Sequence, residues 1–255
     1  MFKYFQLSSE DSIAVVKMNR PPANSYTQEF VEEFHDAIDK CAVHSDIRVI
    51  IITSSIDKFF ATGADIHHMF EKDAPDVETL QNLYNKIQYL SKPVISMING
   101  HAVGGGCELA MSCDFRFMEK STAKIGLPEI NLGIISAAGG TQRMSRLLGR
   151  SKAIELLFEG ASIGAEEALN IGLIHKTFDK EDLMEKTMEY ARRLASKAPL
   201  AIGLIKKCVN EGLDADLKTG LALEREALLT ALKTEDAREG AAAYLEKRLP
   251  KFRGV

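Results

Sequence analysis

No apolar run in the chain approaches the ~20 residues that a bilayer-spanning helix needs, so a membrane span is not expected. Nor does a basic segment followed by an apolar core open it: Met1 to Leu7 is short and is interrupted by Lys3 and Gln6. The four cysteines, Cys41, Cys107, Cys113 and Cys208, contain no Cys-x-x-Cys pair. Scattered thiols of this kind imply reduced side chains rather than a disulfide framework or a zinc site. Basic residues are not in excess, and the formal net charge of -4 disfavours a nucleic-acid binder. Internal repeats and low-complexity segments are lacking too. These absences lead to the expectation of a soluble cytoplasmic protein without a nucleic-acid or membrane partner. At 255 residues and 45% hydrophobic the chain is long enough to bury a sizeable core unaided.

The N-terminal part alternates strands with helices. Ser12 to Met18 carries apolar and β-branched residues and ends at Arg20-Pro21-Pro22. Tyr26 to Val43 has Phe30, Phe34, Ala37, Ile38 and Cys41 at helical spacing. Val49 to Thr53 and Pro93 to Ile98 are continuous apolar runs of the kind buried on both faces of a parallel sheet. Val77 to Leu90 is a second amphipathic helix, and Cys113 to Met118 a further strand. Strand–helix alternation implies an α/β fold with crossover helices. The character starts to change near Gly149 to Leu173. After Lys180 only helices are expected: Glu181 to Lys197, Leu200 to Glu211, Leu217 to Leu232 and Asp236 to Leu249, punctuated by Pro199 and Gly212. The expected division is an α/β core, 1–195, and a helical C-terminal region, 196–255.

Three segments break these patterns. Phe59-Phe60-Ala61-Thr62-Gly63-Ala64-Asp65 follows a buried strand, and its small residues let backbone N–H groups approach a ligand. By itself it is equally a plain strand-to-helix turn. Gly104-Gly105-Gly106 precedes an apolar helix and predicts an exposed helix N-terminus that would stabilise developing negative charge. No Gly-Lys-Ser/Thr follows, and the contiguous glycines do not match a dinucleotide fingerprint. Glu108 lies in the first turn of that helix, where a carboxylate also complements the helix dipole. In Gly126-Leu127-Pro128-Glu129, the proline fixes the chain before a glutamate with apolar neighbours, and apolar walls raise a carboxyl pKa. Alone, Glu129 is equally a surface turn residue. Gly139-Gly140-Thr141 is a tight start to another helix, and His67-His68 lack a third residue at metal-ligand spacing.

Taken together, Ala-Thr-Gly-Ala-Asp (61–65), Gly-Gly-Gly-Cys-Glu-Leu-Ala (104–110), Cys-Asp (113–114), Gly-Leu-Pro-Glu (126–129) and Gly-Gly-Thr-Gln-Arg (139–143) resemble the crotonase family of enoyl-CoA hydratases and isomerases. The resemblance runs from about Ala14 to Arg253. It implies a crotonase-like ββα superhelix core with a C-terminal all-helical trimerisation region, and assembly as a homo-hexamer built from two trimers. It also implies hydration of a trans-2-enoyl-CoA to a 3-hydroxyacyl-CoA in fatty-acid or branched-chain acyl-CoA breakdown. Coenzyme A would enter as part of the substrate, with no separate cofactor and no metal. Carried over by position, Glu108 and Glu129 become the catalytic pair, and Ala64 and Gly105 the backbone donors of an oxyanion hole. Arg20, Ala23, Ala61, Thr62, Asp65, Ile66, Lys251 and Phe252 become substrate or CoA contacts. Three departures bear on the acyl pocket more than on the reaction. Glu108 and Glu129 are one residue further apart than in many members, with the extra residue in the Met118 to Ala123 turn. Gly133 to Ala138 lacks a proline often found there, and the Arg20 to Asn24 turn is one residue short. A Δ3,Δ2-enoyl-CoA isomerase, which typically needs one carboxylate, is the alternative within the family. A silent acyl-CoA or RNA binder is the alternative outside catalysis. Acyl length, branching and pathway are not legible.

Overall fold

The computed structural model describes residues 2–65 and 74–255; Ile66 and the His67-His68 pair lie outside the described residues. A six-stranded sheet forms the floor of the fold. Its strands are β1 (Phe5–Glu10), β2 (Ile13–Met18), β4 (Val49–Ser54), β7 (Val94–Ile98), β9 (Phe115–Glu119) and β12 (Lys176–Phe178), in that spatial order. β1 and β2 are an antiparallel hairpin, and every later pairing is parallel. Between these strands in sequence come β3 (Ser25–Tyr26), α1 (Gln28–Val43), β5 (Phe59–Ala61), β6 (Gly63–Ala64), α2 (Val77–Tyr89), β8 (His101–Val103) and α3 (Gly105–Ser112). Further on lie β10 (Lys124–Gly126), a 3-10 turn at Glu129–Leu132, α4 (Gly140–Glu159), β11 (Ser162–Gly164) and α5 (Ala165–Asn170). The chain finishes with α6 (Leu183–Ala195), α7 (Pro199–Leu213), α8 (Leu217–Ala231) and α9 (Glu235–Leu245).

Two-residue periodicity gives each face of the large sheet its own core. Ile13, Val15, Val49, Ile51, Ile95 and Met97 point to one face, where Leu183, Met188 and Ala191 of α6 cover them. Ala14, Val16, Ile50, Ile52, Val94 and Ile98 point to the other and pack with α1, α2 and α3. A second, four-stranded sheet in the order β11-β10-β8-β5 stands over that side. Its strands are three residues long, which is why periodicity does not reveal it. The hairpin strand β1 also escapes the sequence reading, because only Phe5 of its six residues is buried.

Element ends shift for local reasons. The expected helix from Tyr26 begins at Gln28, since Thr27 caps it by accepting from the Phe30 N–H, and Ser25–Tyr26 pair with β6 instead. Gly212 does not break α7, which runs on to Leu213; Gly212 faces Gly220 of α8 with Cβ-sized space between the two helices. The last helix stops at Leu245, and Lys247 takes a positive φ of 54°. The Met118 to Ala123 turn is not a loose loop. The buried Glu119 carboxylate accepts from the N–H groups of Ser121, Thr122 and Ala123, giving a tight acidic turn. Among the described residues, no helix is long and apolar enough to cross a membrane.

Candidate active site

The sequence Gly104-Gly105-Gly106 works by close approach. The α3 start is not exposed, as expected from sequence, but buried along its whole length. A Cβ at Gly106 would lie 2.6 Å from the Ala61 carbonyl carbon, and one at Gly105 would lie 2.8 Å from the Gly63 Cα. Only bare backbone fits, so β5 and β6 rest directly on the first turn of α3. Gly63 takes φ of 80° and Gly104 φ of 56°, which only glycine adopts without strain. No side chain caps the helix. The Gly105 backbone therefore sits beside that of Gly63, one residue from Ala64, and both Ala64 and Gly105 line one cleft.

That cleft has a volume of about 490 Å³. Glu108 and Glu129 both open into it, between walls that include Val77, Leu80, Ile134 and Ile135. Glu108 is 3% exposed. Its Oε1 accepts from the N–H of Ala138 at 2.9 Å and of Gly140 at 2.7 Å. Burial pushes its carboxyl up to about 7; the Gly140 N–H pulls against this, and the nearby Glu129 adds to it. Pro128 sets up the 3-10 turn that carries Glu129, and Gly133 closes the turn in the left-handed region. Glu129 is half-buried, and burial raises its pKa too. Among the described residues, its Oε2 and the Ser136 Oγ are buried without hydrogen-bond partners. The Ser136 hydroxyl is near enough to temper the shift without hydrogen-bond geometry. A Cβ at Gly104 would stand 3.3 Å from Glu129 Oε1, which places this carboxylate against the start of α3.

The residues expected to touch CoA divide into two groups. Arg20, Ala23, Thr62 and Asp65 come together, and Thr62 of the four lines the cleft. Arg20 Nη1 donates to the Ser25 hydroxyl at 2.7 Å and lies 3.5 Å from Asp65 Oδ2, and Thr62 Oγ1 donates to the Ala23 carbonyl at 3.3 Å. Ala61 is fully buried and offers only backbone. Lys251 and Phe252 are held elsewhere in this chain. The Lys251 N–H donates to Glu239, the Phe252 ring lies over Gly240, and Arg48 donates to the Phe252 carbonyl. Neither lines the cleft.

Sequence reasoning missed Asn24. It is fully buried, and its side chain accepts from the Arg20 N–H at 2.7 Å and donates to Ser54 Oγ and the Phe60 carbonyl, so it fixes the Arg20 turn to the strand behind it. The asparagine closing the Pro-Pro-Ala-Asn turn is the available signal, and it takes a φ of 52°. It also missed Tyr84, whose hydroxyl donates to the Gly105 carbonyl at 2.7 Å from within the apolar face of α2. Nothing in sequence separates that tyrosine from ordinary core. Ser136, in a stretch without regular structure, carries no sequence signal either.

A pair of carboxylates on one apolar cleft, beside a glycine-lined helix start, can hold and deprotonate water while delivering a proton to a neighbouring carbon. Residues 8–255 match the enoyl-CoA hydratase/isomerase family. The chain is 41% identical over 253 residues to a crotonyl-CoA hydratase of Syntrophomonas wolfei, covering 96% of each protein. It is 40% identical over 247 residues to a short-chain-enoyl-CoA hydratase of Clostridium acetobutylicum, covering 95% of this chain and 94% of the relative. An enoyl-CoA hydratase crystal structure from Geobacillus kaustophilus superimposes with a TM-score of 0.95 at 38% identity, over 100% of this chain and 98% of that one. On motif, fold and full-length similarity, this chain belongs to the enoyl-CoA hydratase/isomerase family.

Proposed function

We propose that the protein is an enoyl-CoA hydratase, a hydro-lyase that adds water across the 2,3 double bond of a trans-2-enoyl-CoA. The observation that carries this reading is the facing pair Glu108 and Glu129, held in unlike ways on one cleft. Burial raises both carboxyls above the ordinary range. Two N–H donors on Glu108 Oε1 favour its anion and bring it to about 7, near neutrality. Among the described residues, Glu129 Oε2 accepts no hydrogen bond, and burial raises its carboxyl too. Close like charges disfavour two anions side by side, so the working pair carries one proton, which we assign to Glu129.

In the reaction, Glu108 takes a proton from water as the water oxygen bonds to the β-carbon. The double-bond electrons move toward the thioester, whose oxygen gains negative charge. Backbone N–H groups of Ala64 and Gly105 serve as the oxyanion hole there, and loss of one such donor typically costs ~10²–10³ in rate. Glu129 gives its proton to the α-carbon, and proton exchange restores the starting state. The thioester brings its own CoA, and these steps call on no further group. Arg20, Ala23, Thr62 and Asp65 serve the CoA end of the cleft, with backbone at Ala61 and with Ile66; Lys251 and Phe252 would reach CoA only from another arrangement of the C-terminal segment or from a second subunit.

The assembly is a homo-hexamer of two trimers, working in the cytoplasm. Exposed Leu217, Leu221, Leu228 and Leu232 on and beside α8 support self-association, and α8 has no buried residue in the single chain. A spectrophotometric assay of crotonyl-CoA, run with longer, branched and 3-enoyl thioesters, tests the activity. Loss of the enoyl absorbance with release of 3-hydroxyacyl-CoA supports hydration; turnover of the 3-enoyl thioester alone would instead make the protein an isomerase.

A further inference from the structure

The segment that presents two N–H groups to Glu108 has no regular structure of its own. Residues 134–139 belong to no helix or strand, so their geometry must come from side chains. Those side chains come from α2 and α4. Gln81 Nε2 donates to the Ala137 carbonyl at 2.6 Å. Arg143 Nη1 donates to the Ala138 carbonyl at 2.9 Å, and the Arg143 N–H donates to the Gly139 carbonyl at 2.7 Å. These two carbonyls lie between the two N–H groups that meet Glu108 Oε1, those of Ala138 and Gly140.

The guanidinium is itself fixed, and by neutral partners. Nε donates to Gln88 Oε1 at 2.8 Å and Nη2 to Asn85 Oδ1 at 2.7 Å. Gln81, Asn85 and Gln88 fall on one face of α2, at steps of four and three residues. Gly139 is required by the same arrangement: with φ of 109°, any Cβ there would overlap Arg143 Nη1. Among the described residues, no carboxylate is a hydrogen-bond partner of Arg143, so its positive charge is left to act on what lies nearby.

Among the described residues, the groups that bear on Glu108 come from several elements. Glu129 faces it from the 3-10 turn, the phenols Tyr26 and Tyr84 from β3 and α2, the Cys107 thiol from its own helix, and Arg143 from α4. Burial keeps both phenols and the thiol neutral well above physiological pH. Of these groups Arg143 is the cation.

We infer that Arg143 is a positioning residue for the reaction: its guanidinium, clamped by Asn85 and Gln88, holds the Ala138–Gly140 backbone against Glu108 and supplies the positive charge that favours the glutamate anion. The inference rests on the hydratase reading for its kinetic arm and is independent of it for its spectroscopic arm.

The test compares wild type, Arg143→Gln, Arg143→Lys and the double variant Asn85→Ala/Gln88→Ala. In crotonyl-CoA hydration, Arg143→Gln lowers kcat on the order of 10- to 100-fold with a smaller change in KM. It also moves the acid limb of the kcat/KM profile to higher pH by about half a unit or more, since losing the cation and the aligned donors both favour protonated Glu108. Arg143→Lys restores most of the limb's position but not all of kcat. The double variant keeps the charge and frees the guanidinium, and so lowers kcat with little movement of the limb. In parallel, the amide shift of Gly140 in glycine-labelled protein is titrated without substrate. Its midpoint should follow the same order across the variants and vanish in Glu108→Gln. A folded Arg143→Gln with unchanged kcat, or with unchanged limb and unchanged Gly140 midpoint, overturns the inference. If Arg143→Gln does not fold, an unchanged kcat in the folded double variant overturns it. If wild type hydrates no enoyl-CoA while the Gly140 midpoints move as stated, the functional reading fails and the positioning role stands.

Discussion

Glu108 places a carboxyl where water barely reaches, 3% exposed, and holds it near neutrality at about 7. That has a consequence for stability. A carboxyl whose pKa is raised in the folded state favours folding fully below its unfolded value, ordinarily 4.5, and loses that advantage as pH rises through about 7. The loss is worth on the order of 3 kcal/mol. Glu108→Gln cannot ionise, and its amide oxygen can still accept from Ala138 and Gly140. The variant's melting temperature should therefore gain on wild type between pH 4.5 and pH 7. Melting curves across that range check it; a pH-independent difference would contradict the buried, partly ionised carboxyl. That Glu108 and Glu129 meet on one cleft was legible in sequence through their neighbours: a glycine run beside one and a proline step beside the other. The donors to Glu108 were not, because backbone N–H groups at 138 and 140 reach it only through a long-range fold.

At the scale of elements, the site depends on α3 lying against β5 and β6 with no side chain between them. Gly106→Ala would drive a methyl into the Ala61 carbonyl, and overpacking of this kind costs about 1–3 kcal/mol or more. Gly164→Ala meets open space at an ordinary φ of -77° and should be close to neutral. Chemical denaturation of the two variants gives the comparison, and equal stability would show that the approach of α3 to β5 is not tight. Long apolar runs and amphipathic helices were readable because their periodicity is local: β4, β7, α1 and α2 fall where the pattern puts them. The four-stranded sheet was not readable, since three-residue strands carry too little pattern and pair across distant segments. The ion pair of buried Lys206 with half-buried Asp114, 2.7 Å apart, was equally hidden, although it ties α7 to the turn between α3 and β9.

For the molecule as a whole, the C-terminal helices expose apolar surface that a lone chain does not cover. Leu221 and Leu228, seven residues apart on one face of α8, are 49% and 57% exposed. Leu223 and Ala227 are half-buried, so the face is only partly used within the chain. Leu221→Asp/Leu228→Asp should convert the proposed hexamer to smaller species with the secondary structure intact, as read by light scattering and circular dichroism. An unchanged mass would place the subunit contact elsewhere. The contrast between Arg20 and Lys251 also belongs to this scale. Arg20 is held to Asp65, next to the cleft-lining Ala64, whereas Lys251 is anchored on α9 away from the cleft.

The central claim is that Glu108 and Glu129 act together in hydration. Its most direct measurement is the steady-state hydration of crotonyl-CoA by Glu108→Gln and Glu129→Gln, each shown to be folded by its melting curve. The account predicts that either substitution lowers kcat by at least about 10²-fold, in the range expected when a general acid or base is removed. Near-normal turnover by either folded variant would contradict it.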